Sequence, residues 1–427
     1  MKKLIFIPIF IFTFLSLSFS QVNFDDYFIK KTLRLDYVQA GDATGSKIYF
    51  EQVKVEPFWG GTVKNLVDKF NFGEFRLTVY DSATQKLIYS RGYSTLFQEW
   101  QTSDEAKTLP RSFYETVVFP FPKKTVKMEI HRHNKEGQLE KLYEQYINPS
   151  NYFIREETPI KMDYKKVLDS GDPNSKVDVV IIPDGYAKED VAKLDADVDR
   201  FINYFFSCSP YRENKSNFNF WLVYAISDES GTDIPGKRIY KNTIVNASFY
   251  TFNTERYLMT FDVKKLRDIA ANVPYDQIMI LVNSPIYGGG GIFNYYSVVS
   301  SDDPYSDYVM THEFGHAFAD LADEYWTSDV AVNDYYSLKV EPIQPNITTL
   351  VNFESKWKNL VDKDMPIPTP NDPKYYKKVG AFEGGGYVAN GIYRPMYDCT
   401  MKSRSRDNFC PVCKNALTNM INFYCDK

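Results

Sequence analysis

His312-Glu313-Phe314-Gly315-His316 sets two imidazoles four residues apart with a carboxylate between them. On a helix, residues i and i+4 share a face one turn apart, so both rings can converge on one metal ion at roughly 2.0–2.1 Å. Glu313 follows about 100° around the same turn, placed to take a proton from a water at that ion. The chain holds four histidines in 427 residues, so a fortuitous pair on an ordinary helix is the weaker reading. The spacing predicts a helix through 312–316 that carries one catalytic zinc (Zn2+) on His312 and His316, with Glu313 as general base.

A catalytic zinc commonly takes three protein ligands and leaves a fourth position to water. The other histidines, His131 and His133, lie far upstream in a strand-like run. Both would point to one strand face, which reads as a surface face rather than a metal pair. A carboxylate is therefore expected, and Asp320, Asp323 and Glu324 follow the helix. A straight helix would carry residue 323 roughly 16 Å beyond 312, so the chain must turn back after His316. In the metzincin spacing H-E-x-x-H-x-x-G-x-x-H, a glycine breaks the helix three residues before the third ligand. Here Asp320 stands three before Asp323, and Asp tolerates the left-handed conformation better than most non-glycine residues. That favours Asp323 as third ligand. The spacing is one residue longer than the metzincin pattern, so Glu324 stays as the alternative.

Upstream, 278–282 is an apolar run that reads as a buried strand, followed by Tyr287-Gly288-Gly289-Gly290-Gly291 and a second β-like run over 292–300. A glycine stretch beside an exposed strand suits an extended peptide, which adds to such an edge by main-chain hydrogen bonds. Gly289, Gly290 and Gly291 are candidate substrate contacts on this reading, against the alternative of a flexible surface hairpin.

The string from His312 through Ala317-Phe318-Ala319-Asp320-Leu321-Ala322-Asp323-Glu324-Tyr325 resembles the active-site segment of the secreted bacterial IgA-peptidase family of zinc metallopeptidases. Further segments agree in the same order: Val177-Asp178-Val179-Val180-Ile181-Ile182-Pro183-Asp184-Gly185-Tyr186, Phe218-Asn219-Phe220-Trp221 with Ser230-Gly231-Thr232-Asp233, and Cys399-Thr400-Met401-Lys402-Ser403 with Phe409-Cys410-Pro411-Val412-Cys413. The likeness runs from about residue 165 to the end. It implies zinc-dependent peptide hydrolysis with His312 and His316 as ligands and Glu313 as base, and a β-rich domain in front. Asp320 stands where that pattern leads one to expect glycine. The family's name does not carry immunoglobulin over as the substrate.

Metzincin-like enzymes run a methionine turn beneath the metal. Met401 is the candidate for it, with Met396 as competitor and an ordinary core methionine as the plain alternative. Tyr325 and Tyr397 are candidates to polarise a scissile carbonyl.

Met1-Lys2-Lys3, the apolar run 4–17 and Ser18-Phe19-Ser20 have the make-up of an export signal cleaved near Ser20/Gln21. The alternative is an uncleaved anchor, although the run is short for a span and no later stretch replaces it. A secreted or otherwise extracytoplasmic location favours two disulfides among Cys399, Cys410, Cys413 and Cys425, leaving Cys208 free. The rival is a structural zinc on the four clustered thiolates, since Cys410-Pro411-Val412-Cys413 has half-site spacing. A net charge of −5 argues against nucleic acid as a partner.

These signals divide the chain into a signal peptide at 1–20, a β-sandwich over 21–150 built from alternating runs, a linker at 151–164, and a catalytic domain over 165–427 in which strands and helices alternate. The expected fold class is mixed α+β or α/β, a metzincin-like zinc peptidase domain behind a β-sandwich. The expected function is endopeptidase hydrolysis of extracellular protein or peptide substrates. Two rivals are an adhesion or glycan-binding module on a retained peptidase fold, against which an intact Glu313 speaks, and an amidase acting on cell-wall peptides.

Overall fold

Leu33-Arg34-Leu35-Asp36-Tyr37 alternates apolar and polar side chains, and in the computed structural model of the chain it lies within a long strand. The structure describes residues 21–156, 160–326, 336–404 and 409–425, so the expected export signal lies outside the described residues. After a helical turn α1 (Phe24–Tyr27), strands β1 (Phe28–Asp42), β2 (Gly45–Glu56), β3 (Phe75–Asp81) and β4 (Leu87–Tyr93) lead to the short helix α2 (Leu96–Trp100). Strands β5 (Arg111–Pro122), β6 (Val126–His133) and β7 (Leu139–Ile147) complete this part. They form two antiparallel sheets, ordered β2-β1-β5 and β4-β3-β6-β7. Leu33, Leu35, Val117 and Phe119 of one sheet and Phe75, Leu77, Val79, Met128 and Ile130 of the other share one core. Period-two alternation turns one face of each sheet inward.

The other face of β1 is not a solvent face. Arg34 and Asp36 are fully buried. Arg34 pairs with Asp36 at 2.7 Å, Glu56 at 3.2 Å and Asp268 at 2.8 Å. Asp268 belongs to the second half of the chain, so this ion cluster fastens the sandwich to that second half. A buried guanidinium is tolerated because its donors meet carboxylates.

The second half opens with β8 (Tyr164–Leu168), β9 (Val177–Asp184), helix α3 (Val191–Phe205) and β10 (Phe218–Val223). Next come helix α4 (Val263–Ala270), β11 (Gln277–Val282), β12 (Gly289–Ile292), β13 (Tyr296–Ser300) and helix α5 (Ser306–Ala319), then β14 (Phe382–Gly385), β15 (Val388–Arg394) and helix α6 (Pro411–Tyr424). A six-stranded mixed sheet runs β12-β13-β11-β9-β10-β8, with β13, β11, β9 and β10 parallel. Strands β9, β10 and β11 are buried throughout, as expected for parallel strands covered on both sides. Helices α3, α5 and α6 pack on one face through Phe205, Phe314, Phe318 and Leu417, and α4 packs on the other.

Two expectations change here. The run over 292–300 is not one strand: β12 takes in the glycines themselves, turns at 293–295 and pairs antiparallel with β13. Nor are two disulfides formed. The Sγ atoms of Cys399 and Cys413 are 3.8 Å apart, against about 2.05 Å for a bond, and Cys425 instead donates to the Asn217 carbonyl at 3.5 Å. On the strand that carries His131 and His133, His131 meets Glu129 at 3.0 Å. Among the described residues no helix is long and apolar enough to cross a membrane.

Candidate active site

Helix α5 ends where the sequence makes it end. Asp320 adopts the left-handed conformation (φ 51°, ψ 36°), and its N–H reaches the His316 carbonyl at 3.1 Å while that of Leu321 reaches Gly315 at 3.4 Å. This left-handed closure reverses the chain. The Asp320 carboxylate accepts the Gly73 N–H at 2.9 Å, so the sandwich braces the reversal.

The reversal returns Asp323 to the histidines. Its Oδ1 lies 3.0 Å from Nε2 of His312 and 3.4 Å from Nε2 of His316, and the two Nε2 atoms are 3.1 Å apart. Each Nδ1 faces a main-chain carbonyl: His312 faces Thr400 at 3.0 Å and His316 faces Leu321 at 2.5 Å. A carbonyl can only accept, so both Nδ1 atoms carry the proton and both Nε2 atoms present lone pairs. Oδ1 of Asp323 is buried with no hydrogen-bond donor of its own. Three acceptor atoms packed this closely repel one another unless a cation joins them. Bonds of about 2.0–2.1 Å to a tetrahedral ion would space its ligands about 3.3 Å apart, and the three separations bracket that value. The residues therefore fit a metal ion. Glu324, the alternative third ligand, points elsewhere: its Oε1 meets Asn346 at 3.0 Å and Cys413 at 3.2 Å.

Burial opposes ionisation of Asp323, yet its position against the two histidines holds its carboxyl well below the usual range. Its second oxygen, Oδ2, accepts from the Tyr387 hydroxyl. Glu313 stands beside the pair, with its carboxylate oxygen in the same small group as the histidine nitrogens. Burial pushes Glu313 up, against the opposing influence of His312 and His316. Tyr325 lies close to Asp323 and to Arg256.

Beneath the helix, Met401 is fully buried. A Cβ at Gly315 would stand 3.1 Å from its Sδ, so the missing side chain lets Met401 press against the turn between the histidines. Met396 is only partly buried at the edge of the core. Tyr397 is not brought to the site; it stacks on Tyr376 at 3.5 Å and does not line the cavity over the histidines.

That cavity holds about 690 Å³. Gly289, Gly290 and Gly291 form part of its wall, together with Tyr325 and Tyr387. Gly291 cannot be larger: a Cβ there would lie 2.2 Å from the Glu313 carbonyl oxygen. The glycines thus seat β12 against α5 rather than forming a flexible hairpin. The expected open edge is partly taken, since Gly289 bridges to Tyr257. The sandwich supplies a wall through α2, where Glu99 accepts a hydrogen bond from Tyr257 at 2.5 Å. Burial pushes Glu99 up to about 7.

Sequence reasoning missed Tyr387, Arg256 and Glu99. Tyr387 had a signal, since it follows Gly384-Gly385-Gly386 in a hairpin and sits at φ 64°, uncommon for a bulky residue. Arg256 and Glu99 had none, being placed only by tertiary contacts.

A family model described as IgA Peptidase M64 matches residues 166–378 and 371–421. A second, described as Peptidase M64 N-terminus, matches residues 23–144. No curated protein matches the chain.

Proposed function

The chain belongs to the IgA peptidase M64 family and is a peptidase; from that premise we propose that it is a secreted, zinc-dependent endopeptidase with Glu313 as general base. The observation that carries this reading is the convergence of Nε2 of His312, Nε2 of His316 and Oδ1 of Asp323 within 3.0–3.4 Å. Those three residues would hold the ion. Two imidazoles and a carboxylate suit zinc, which when bound acts as a Lewis acid and makes water ionise near neutral pH.

The chain's own groups do the rest. Thr400 and Leu321 keep both imidazoles in the tautomer that exposes Nε2. Tyr387 ties up one oxygen of Asp323 and leaves the other for the ion. Glu313 takes a proton from the attacking water as oxygen bonds to the scissile carbonyl carbon. It then gives that proton to the amine as the C–N bond breaks. Tyr325, close to Asp323 and Arg256 on the cavity wall, is the candidate to hydrogen-bond the carbonyl oxygen as it gains charge. Met401 is the candidate methionine turn, which supports a metzincin-like arrangement.

The cavity's glycine wall and its volume of about 690 Å³ favour an extended peptide. Extracellular protein is the proposed substrate class, because the basic start and apolar run within 1–20 read as an export signal. Treatment with a chelator such as phenanthroline should abolish hydrolysis, and added zinc should restore it. Full activity in metal-free protein would refute the proposal.

A further inference from the structure

Glu324 and three cysteines meet on the far side of the segment that carries Asp323. Glu324, Cys399, Cys410 and Cys413 are all buried, and one ligand atom from each lies within 4.8 Å of every other. Sγ of Cys399 and Cys413 are 3.8 Å apart, and Sγ of Cys413 is 3.2 Å from Oε1 of Glu324. The spacing Cys-x-x-Cys at the start of α6 is a common metal half-site. We propose that this cluster binds a second, structural zinc ion through Cys399, Cys410, Cys413 and Glu324.

Several observations favour a metal over bare thiols. A tetrahedral zinc with Zn–S bonds of about 2.3 Å sets its sulfurs about 3.8 Å apart, the separation found for Cys399 and Cys413. Main-chain donors are aimed at the sulfurs: the Cys410 N–H lies 3.2 Å from Sγ of Cys399, and the Cys413 N–H 3.4 Å from Sγ of Cys410. Such bonds favour thiolate over thiol. Oε2 of Glu324 is buried with no hydrogen-bond partner, a costly state for a carboxylate unless a cation compensates it. Three thiolates and a carboxylate on a divalent ion leave two negative charges, and Arg394 and Lys402 lie within electrostatic range of Glu324 to offset them. A Cys399–Cys413 disulfide would leave Cys410 and Glu324 uncompensated. The thiolate zinc site weighed from the sequence thus takes shape with a different fourth ligand, Glu324 in place of Cys425.

The ion would act on the catalytic groups through the chain. Glu324 is the neighbour of Asp323, and its N–H donates to the Met401 carbonyl at 2.8 Å. Cys399 precedes Thr400, whose carbonyl holds His312. One ion would therefore pin the Asp323 segment, the Met401 loop and the start of α6 together.

The test loads the full-length mature chain with cobalt(II) in place of zinc. The site at His312, His316 and Asp323 contains no sulfur, so thiolate-to-cobalt charge-transfer absorption in the near ultraviolet can arise only at cysteine. The proposal expects that absorption in the wild type, its persistence in a His312→Ala/His316→Ala variant that keeps one metal per chain, and its loss in Cys410→Ser. Cobalt-loaded wild type without the absorption overturns the proposal, as does a Cys399–Cys413 disulfide found by mass spectrometry. Failure of the catalytic-site proposal alone would leave the charge-transfer signal in place.

Discussion

The Tyr387 hydroxyl donates to Oδ2 of Asp323, which leaves Oδ1 of the same carboxylate facing Nε2 of His312 at 3.0 Å. Sixty-four residues separate the two, so the hairpin of β14 and β15 sets the orientation of a side chain on the segment after α5. Partners that orient ligands in this way commonly contribute 10–100-fold to metal affinity.

Tyr387→Phe keeps the ring and removes the donor. It should weaken zinc binding at the histidine site by about 10–100-fold, read by competition with a chromogenic chelator while activity is followed. Unchanged affinity would show that Asp323 needs no such tether.

Gly291→Ala tests the contact between β12 and α5. The added methyl would meet the Glu313 carbonyl at 2.2 Å and its Cα at 3.1 Å, so strand or helix must shift. Overpacking of this kind costs about 1–3 kcal/mol, and displacement of Glu313 should lower kcat/KM as well. Gly45→Ala is the control, because nothing lies within 4 Å of its added methyl. Equal unfolding midpoints for the two variants would contradict the close packing.

What the sequence makes legible depends on what each signal encodes. The helical spacing of His312 and His316, and the need to turn back before Asp323, are local geometry, and the structure has that helix and that turn. The chain's departure at 288–292 is different in kind. A glycine run reads as a loop because propensity sees only the chain itself, whereas here the small residues answer to a helix packed against them. The cysteines mislead for a similar reason: spacing along the chain cannot show that Cys425 faces Asn217 while Glu324 joins the other three. Tyr397 is a neighbour of Met396 in the sequence, and stacking on Tyr376 carries it away from the cavity.

Glu115 ties pH to stability. It is fully buried in β5, and burial pushes it up to about 8 against the opposing influence of nearby Tyr295 and of the Phe97 N–H, whose hydrogen bond it accepts. An unfolded glutamate titrates near about 4.3. Between those values the native state holds the extra proton, so its stability falls as pH rises through the window. Glu115→Gln removes that titration. Relative to wild type, the variant should gain unfolding free energy steadily from about pH 4 to about pH 8 and then level off. A difference independent of pH, from urea unfolding at several pH values, would contradict the assignment.

The most direct measurement compares wild type with zinc-loaded Glu313→Gln on a proteome-derived peptide library, with cut sites read by mass spectrometry. The account predicts internal cleavages by the wild type and a fall in kcat of about 10²-fold or more in the variant, with the zinc content of the histidine site unchanged. Wild-type turnover by Glu313→Gln, or trimming confined to peptide ends, would contradict it.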